Sequence, residues 1–262
     1  MKTNLHLAAC LALLSSAPAL AAEEDAQALM EKVFSRASWK DMHGKARLVL
    51  TNKRGDTKAR EIEMWSKKNE RDESRMLMRF QKPADVRGTG FLMIEHKDGD
   101  DDRRLFLPAL RRVNRISASG SGGNFMSSDF TYYDIGRPKL SDWKYTFAGT
   151  KEVLGVECKA VEGVASSPKV VEDTGYSKVV WCVDPKDLVV VGADYFDKSG
   201  RMFKQMLAVR IEKINEVPFA THMKMSDVTS GHTSEMVFSD LKTDAGVEES
   251  IFTERNLKAW TH

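Results

Sequence analysis

The clearest strand and turn signals of the chain lie in residues 86–135, which read VRGTGFLMIEHKDGDDDRRLFLPALRRVNRISASGSGGNFMSSDFTYYDI. Near the start, Gly88 and Gly90 allow a bulge or a close backbone approach, because glycine has no Cβ. The apolar run 91–94 leads to an acidic turn at 98–102, whose Asp-Gly pair is a strong hairpin signal. This order predicts a strand, a tight turn and a returning antiparallel strand.

The remainder of these fifty or so residues predicts further short strands and one polar loop. Residues 103–107 form the returning strand, and residues 111–116 have the composition of another. Residues 117–128 are rich in glycine and serine and carry one bulky apolar pair, Phe125 and Met126. This composition predicts a flexible connection on the surface.

Outside this region, apolar and polar residues alternate with a period of two through most of the chain. Examples are residues 61–64, 75–81 and 219–226, each of which has one apolar and one polar face. Such alternation is typical of antiparallel strands that are wet on one side. The chain contains about eleven to thirteen strand candidates of this kind.

One long helix is predicted near the N-terminus, from about Glu24 to Ser38. Its apolar residues recur at helical spacing and form one stripe, which consists of Ala26, Leu29, Met30, Val33 and Ala37. A stripe of this kind packs against a sheet, and it would cover any cavity on that sheet. A short closing element at 248–257 is predicted to point its apolar residues, Ile251, Phe252 and Leu257, inward.

The N-terminus has the features of a secretory signal peptide. Lys2 supplies a positive charge, residues 5–14 are an apolar segment, and residues 19–21 form a small-x-small cleavage site. The apolar segment is too short to span a membrane. We therefore expect residues 1–22 to be a signal peptide and residues 23–262 to be one exported domain.

The cysteines support an exported protein. Cys10 imitates a bacterial lipoprotein signal, but the apolar run continues past it, which favours ordinary cleavage. Cys158 and Cys182 lie in neighbouring strand candidates. In an oxidising compartment this arrangement favours one disulfide, with two separate buried thiols as the alternative.

Charge and motifs argue against several classes of function. The formal net charge is +2, which is too balanced for a nucleic-acid-binding face. No G-x-S-x-G motif is present, since Ser119 stands where the first glycine before Ser121 would be needed. The histidines are scattered without metal-ligand spacing. The sequence predicts a protein that is not an enzyme and that has no cofactor and no metal site.

Three motifs resemble the LolA-like outer-membrane lipoprotein-sorting proteins of Gram-negative bacteria. They are RGTGFL at 87–92, LFLPALRRV at 105–113, and FM followed by SDFTY within 125–132. The resemblance extends over most of residues 23–262 and implies one LolA-like lipid-carrier domain. The implied fold is mainly β with few helices, a half-open antiparallel β-barrel of about 11 strands. An N-terminal helix and a loop lid would cover its apolar concave face.

The same resemblance implies a periplasmic carrier that binds a lipid or lipoprotein acyl chain and moves it between the inner and outer membranes. The expected partners are an inner-membrane exporter of the RND type and, transiently, the membrane itself, but no nucleic acid, and the carrier is expected to be a monomer. The loop at 117–128 would move to admit the cargo. The alternative is a β-scaffold without a cavity that acts as an adaptor in an envelope protein complex.

The apolar strand faces carry many methionines beside their phenylalanines, and methionine is the unusual choice because strands usually prefer β-branched and aromatic residues. Methionine is flexible and polarisable, so it suits a surface that must accept chains of variable shape, although it also fills irregular cores. The predicted cavity residues are Met64, Met76, Met78, Phe80, Phe91, Met93, Phe106, Phe125, Met126, Phe203, Phe219, Met223, Met225 and Phe238.

A cluster of arginines follows the acidic turn. Arg111, Arg112 and Arg115 are predicted to contact lipid head groups or a partner protein, because guanidinium groups match phosphate oxygens. The alternative is a solvated hairpin whose arginines pair with the acidic turn at 98–102 and add little stability.

Overall fold

A computed structural model of the chain describes residues 18–36 and 38–259. Residues 1–17 of the predicted signal peptide lie outside the described residues, as does Ala37 of the predicted helical stripe.

The described chain folds into thirteen strands and four α-helices, with a few short 3-10 turns. The strands are β1 Asp41–Thr51, β2 Thr57–Lys68, β3 Ser74–Lys82, β4 Gly90–Ile94, β5 Asp102–Leu107, β6 Arg112–Ile116, β7 Trp143–Val153, β8 Val156–Ala165, β9 Lys178–Asp184, β10 Val189–Phe196, β11 Met202–Ile214, β12 Val217–Asp227 and β13 Thr233–Thr243. The helices are α1 Pro18–Ser35, α2 Tyr132–Ile135, α3 Pro168–Thr174 and α4 Glu254–Lys258.

All thirteen strands belong to one antiparallel sheet with the order β6-β5-β4-β3-β2-β1-β13-β12-β11-β10-β9-β8-β7. Each half of the chain is a meander of neighbouring strands, and the two meanders meet where β1 pairs with β13. The sheet stays open between β6 and β7, so it is a half-open barrel. The predicted fold class is confirmed, with thirteen strands in place of about eleven.

The two faces of the sheet carry different apolar clusters. We call the face with the large cluster the inner face; it contains Met76, Met78 and Phe80 of β3. Leu77, which alternates with them, points to the outer face and belongs to a smaller cluster with Leu92. The alternation read from the sequence therefore separates the two faces of β3 correctly.

Helix α1 packs on the inner face against β7. Ala26, Met30 and Val33 of the predicted stripe are buried there. The helix ends at Ser35, earlier than Ser38, and the Ser35 hydroxyl donates to the Glu31 carbonyl at 2.6 Å in the last turn. None of the helices in the described part of the chain is both long and apolar enough to cross a membrane.

The C-terminal segment packs on the outer face of the sheet, where Phe252 and Leu257 join the cluster of Leu77 and Leu92. Gly90 permits this packing, because a Cβ at that position would lie 2.7 Å from the Leu257 carbonyl oxygen. The prediction that the apolar residues of this segment point inward is confirmed for Phe252 and Leu257, which are buried, and the cluster that they join lies on the outer face of the sheet.

Cys158 of β8 and Cys182 of β9 form a disulfide on the outer face, with their Cα atoms 5.4 Å apart. The two sulfurs are buried in a small cluster with Val191. The bond therefore joins neighbouring strands away from the inner face.

Replacing both cysteines with serine (C158S/C182S) is expected to lower the free energy of unfolding by about 3 kcal/mol. The bond restricts the unfolded chain over a sequence separation of 24 residues. Urea unfolding of the variant and of the wild type, with and without a reducing agent, measures this difference. The reduced wild type should match the variant, and equal stability of the variant and the oxidised wild type would contradict the prediction.

Candidate ligand-binding cavity

An apolar cavity of about 460 Å³ lies between the inner face of the sheet, the C-terminal end of α1 and the region around α2. Its size falls within the range of about 300–1,000 Å³ that is usual for small-molecule sites. The apolar lining residues come from α1, from strands of both meanders and from α2. They are Val33, Phe34, Met42, Met64, Met76, Met78, Phe130, Ile135, Leu188, Val189, Val190, Met206, Phe219, Ala220, Met223, Met236 and Phe238.

The structure brings one group of the predicted cavity residues together around this space. This group consists of Met64, Met76, Met78, Phe219, Met223 and Phe238. A second group is buried in the apolar cluster of the inner face without lining the cavity; it consists of Phe80, Phe91, Met93, Phe125 and Met225. Met126 and Phe203 are partly buried and pack against the same cluster.

Phe106 does not face the cavity. It packs on the outer face in the cluster of Leu77 and Leu92, while its neighbour Leu105 is buried on the inner face. The register explains the difference, because Leu105 lies opposite Phe91 and Phe106 lies opposite Gly90. Two consecutive apolar residues do not reveal which one points inward, so the placement of Phe106 in the cavity is corrected.

Several lining residues were not identified from the sequence. Met236 is two residues from Phe238 on β13, so the strand alternation that identified Phe238 could also have found it. Phe34 lies outside the helical stripe, and Leu188 precedes β10 in a turn. Neither residue belongs to a pattern of helical or strand spacing. Each lines the cavity only because the folded chain brings it there.

The connection between the open edges of the sheet passes over the inner face. We call residues 117–142, which link β6 to β7, the crossing segment. Phe125 within it has no exposed surface, and its ring centroid lies 5.3 Å from that of Phe91 and 5.6 Å from that of Tyr132. The glycine- and serine-rich loop is therefore packed through Phe125, in contrast to the flexible surface connection that its composition predicts.

A close backbone approach and a hydrogen bond also hold this segment. A Cβ at Gly122 would lie 2.8 Å from the carbonyl oxygen of Thr174 in α3, so glycine is needed for the contact. The guanidinium of Arg60 on β2 donates to the Met126 carbonyl. These contacts attach the segment to β2 of the first meander and to α3, which lies between β8 and β9 in the chain.

A buried ion pair fixes α2 to the second meander. Lys204 Nζ lies 2.8 Å from Asp134 Oδ2, and both side chains are almost fully buried. Lys204 also donates to the Tyr176 hydroxyl, which in turn donates to Asp134. Burial, and next the negative charge of Asp134, raise the pKa of Tyr176 well above its ordinary value, so its hydroxyl stays a donor.

A second polar anchor ties the crossing segment to β13. The Ser234 hydroxyl donates to Asp129 Oδ2 at 2.6 Å, and His232 Nδ1 lies 2.7 Å from the same oxygen. The Ser234 hydroxyl donates its proton to Asp129 and not to His232. The three side chains therefore hold the crossing segment against β13. No group of histidine, cysteine and acidic residues among the described positions has the arrangement of a metal site.

Two arginines lie at the mouth of the cavity. Arg36 follows α1 and Arg137 follows α2, and both belong to the cavity lining. Burial, and next the positive charge of Arg137, lower the pKa of Arg36 below its ordinary value. The two arginines supply the positive charges of the lining, whose other polar residues are Ser38, Ser66, Ser74 and Asp134.

The arginines predicted from the sequence lie elsewhere. Arg111, Arg112 and Arg115 are exposed at the β5–β6 hairpin and do not line the cavity. Arg112 Nε donates to Asn114 Oδ1 at 2.8 Å, within the hairpin itself. These residues therefore do not contact a ligand inside the cavity, and their contact with lipid head groups or with a partner protein stays a prediction.

Comparisons with known proteins place the chain in a family. A family model described as "Uncharacterized protein" matches residues 72–259, which is more than half of the chain, so the chain belongs to that family. No curated protein sequence matches the chain.

Solved structures share the fold over most of the chain. A domain from Vibrio parahaemolyticus assigned as an outer membrane lipoprotein-sorting protein is 27% identical, with a TM-score of 0.84, over 90% of this chain and 100% of its own. A DUF1329 family protein from Desulfovibrio piger is 29% identical, with a TM-score of 0.81, over 92% of this chain and 99% of its own. A LolA superfamily protein from Nitrosomonas europaea, 21% identical over 88% of this chain and 98% of its own, has the same fold with a TM-score of 0.68. The resemblance to the LolA-like lipoprotein-sorting family is confirmed.

Proposed function

We propose that this protein is a periplasmic carrier that binds a lipid or lipoprotein acyl group in the inner cavity and transfers it between the inner and outer membranes. The observation that carries the proposal is the cavity of about 460 Å³ with its methionine- and phenylalanine-rich lining. The similarity to the Vibrio parahaemolyticus lipoprotein-sorting domain supports a carrier fold. The signal-peptide features of residues 1–22 support export.

The proposed mechanism is transfer without a chemical step. Each buried methylene group contributes roughly 0.8 kcal/mol, so a cavity that covers much of an acyl chain holds it firmly. Methionine side chains such as Met64, Met78 and Met223 adapt to chains that differ in shape. Release then requires an acceptor that opens the half-barrel or offers a better site.

The proposed partner is an inner-membrane exporter of the RND type, which the family resemblance supports. The crossing segment lies over the inner face and contributes Ile135 and Arg137 to the cavity, so it is the element whose movement would admit cargo. The carrier acts as a monomer that contacts the membrane transiently.

The test of this proposal is native mass spectrometry of the protein purified from its own periplasm, followed by lipid extraction. We expect a bound species with the mass of a lipid or of a lipoprotein acyl group. A protein that is empty and also refuses added lipids would contradict the carrier and favour the adaptor.

A variant that fills the cavity provides a sharper measurement. Met223→Trp places a larger side chain at a lining position, so it occupies space that the acyl chain would fill. Fewer methylene groups of the chain can then be buried, and the affinity for lipid is expected to fall at least about tenfold. Val209→Trp, at a position that is 42% exposed, is the matched control and should bind as the wild type does. Equal loading of both variants, with thermal unfolding showing that both are folded, would show that this cavity does not hold the lipid.

A further inference from the structure

We propose that the cargo carries an anionic oxyanion head group, a carboxylate or a phosphate, which Arg36 and Arg137 bind at the mouth of the cavity while the acyl chain fills the apolar interior. This inference rests on the proposed carrier function and names the chemistry of its cargo.

The position of the two arginines marks the boundary between the apolar and polar parts of the site. Both line the apolar cavity. Arg36 also lines an open cleft of about 590 Å³ with Lys40, and Arg137 lines another of about 760 Å³ with Lys97. A chain in the cavity would therefore end between two guanidinium groups, at the point where the site opens to water.

The acidic residues near the two arginines also have lysine partners, and one of them is Asp187, whose Oδ1 lies 3.5 Å from Lys213 Nζ. Asp134 pairs with Lys204 at 2.8 Å. Asp72 Oδ1 lies 2.5 Å from Lys68 Nζ, and its other oxygen lies 3.4 Å from Arg137. Arg137 therefore shares a carboxylate with a closer cation.

Arg36 has a neutral acceptor. Its Nη1 donates to the Pro218 carbonyl at 2.7 Å, and no ion pair joins it to an acidic side chain in the described ranges. Burial, and next the charge of Arg137, lower the pKa of Arg36, and the opposing charge of Asp187 offsets this only in part, so a bound anion would stabilise the cationic form further. Guanidinium groups present forked donors that match the paired oxygens of carboxylates and phosphates.

The experiment compares lipids that share their chains and differ in head group. The first pair is phosphatidylglycerol against diacylglycerol, and the second is hexadecanoate against hexadecanol. Binding is measured by displacement of a fluorescent fatty acid and by native mass spectrometry. The pairs distinguish a phosphate from a carboxylate as the preferred oxyanion.

The variant R36Q/R137Q removes both charges, and R111Q/R112Q removes the same charge from the exposed hairpin as a matched control. We expect R36Q/R137Q to weaken binding of the anionic lipids by about tenfold or more. Its binding of the neutral lipids should stay unchanged, and the control should behave as the wild type. If the double variant unfolds, the single variants R36Q and R137Q are measured in its place.

Two results would overturn the inference while leaving the carrier function intact. They are equal binding of anionic and neutral lipids by the wild type, and an unchanged anionic preference in R36Q/R137Q. A wild type that binds none of the four lipids would instead contradict the carrier function itself.

Discussion

Replacing Phe125 with alanine is expected to lower the free energy of unfolding by about 3–5 kcal/mol. The ring has no exposed surface and lies among Phe80, Phe91 and Tyr132, so its removal leaves a cavity inside the inner cluster. Urea unfolding followed by tryptophan fluorescence measures the change. The size of the effect reports whether the crossing segment unfolds together with the sheet.

The control for this variant is Leu110→Ala, whose side chain is 63% exposed and whose loss is expected to change stability by no more than about 0.5 kcal/mol. A loss below about 1 kcal/mol for F125A would mean that the crossing segment opens separately from the sheet. In that case its packing would belong to a local equilibrium that a ligand could shift.

Replacing Lys204 with methionine is expected to lower the free energy of unfolding by about 3–5 kcal/mol. The substitution leaves the Asp134 carboxylate buried without its cation, because Lys204 and Asp134 are 3% and 6% exposed. The double variant K204M/D134N should lose less than the sum of the two single variants, since it removes both charges together. Chemical unfolding of the four proteins gives the coupling free energy.

The exposed pair of Lys45 and Asp240, also 2.8 Å apart, supplies the comparison. K45M is expected to leave stability unchanged within error, because water already screens that pair. Additive effects of K204M and D134N would show that the buried pair is not coupled. The buried pair also positions part of the cavity wall, because Asp134 and the three residues that follow it, Ile135, Gly136 and Arg137, all line the cavity.

The fold and the inner face of several strands could be predicted from the sequence because strand alternation is a local property. The spacing of Met76, Met78 and Phe80 alone predicts that they share the apolar face, and the structure places them there. Alternation cannot tell which of two consecutive apolar residues, such as Leu105 and Phe106, lies on the inner face, since a shift of one residue in register reverses the faces.

The polar features of the site depend on partners that are distant in sequence. The pairing of Lys204 with Asp134 joins positions on β11 and α2, and neither residue stands in a motif. Arg36 and Arg137 meet at the cavity mouth only because α1 and the crossing segment both fold onto the inner face. The local cluster of basic residues at Arg111 and Arg112 instead predicts head-group or partner contacts at a hairpin that is exposed in the structure.

The pairing of β1 with β13 makes folding of the sheet depend on a strand that is synthesised long after β1. In the folded sheet Met42 of β1 lies opposite Thr243 of β13. One edge of β1 pairs with β2, and the other edge stays unpaired until β13 is available. Until then, the emerged first meander presents an unpaired strand edge at β1 beside an uncovered apolar surface, which is the state in which chains associate with one another. A copy that is truncated before β13 would therefore be prone to aggregation, and a holding chaperone would have to protect the nascent half-sheet until β13 is synthesised.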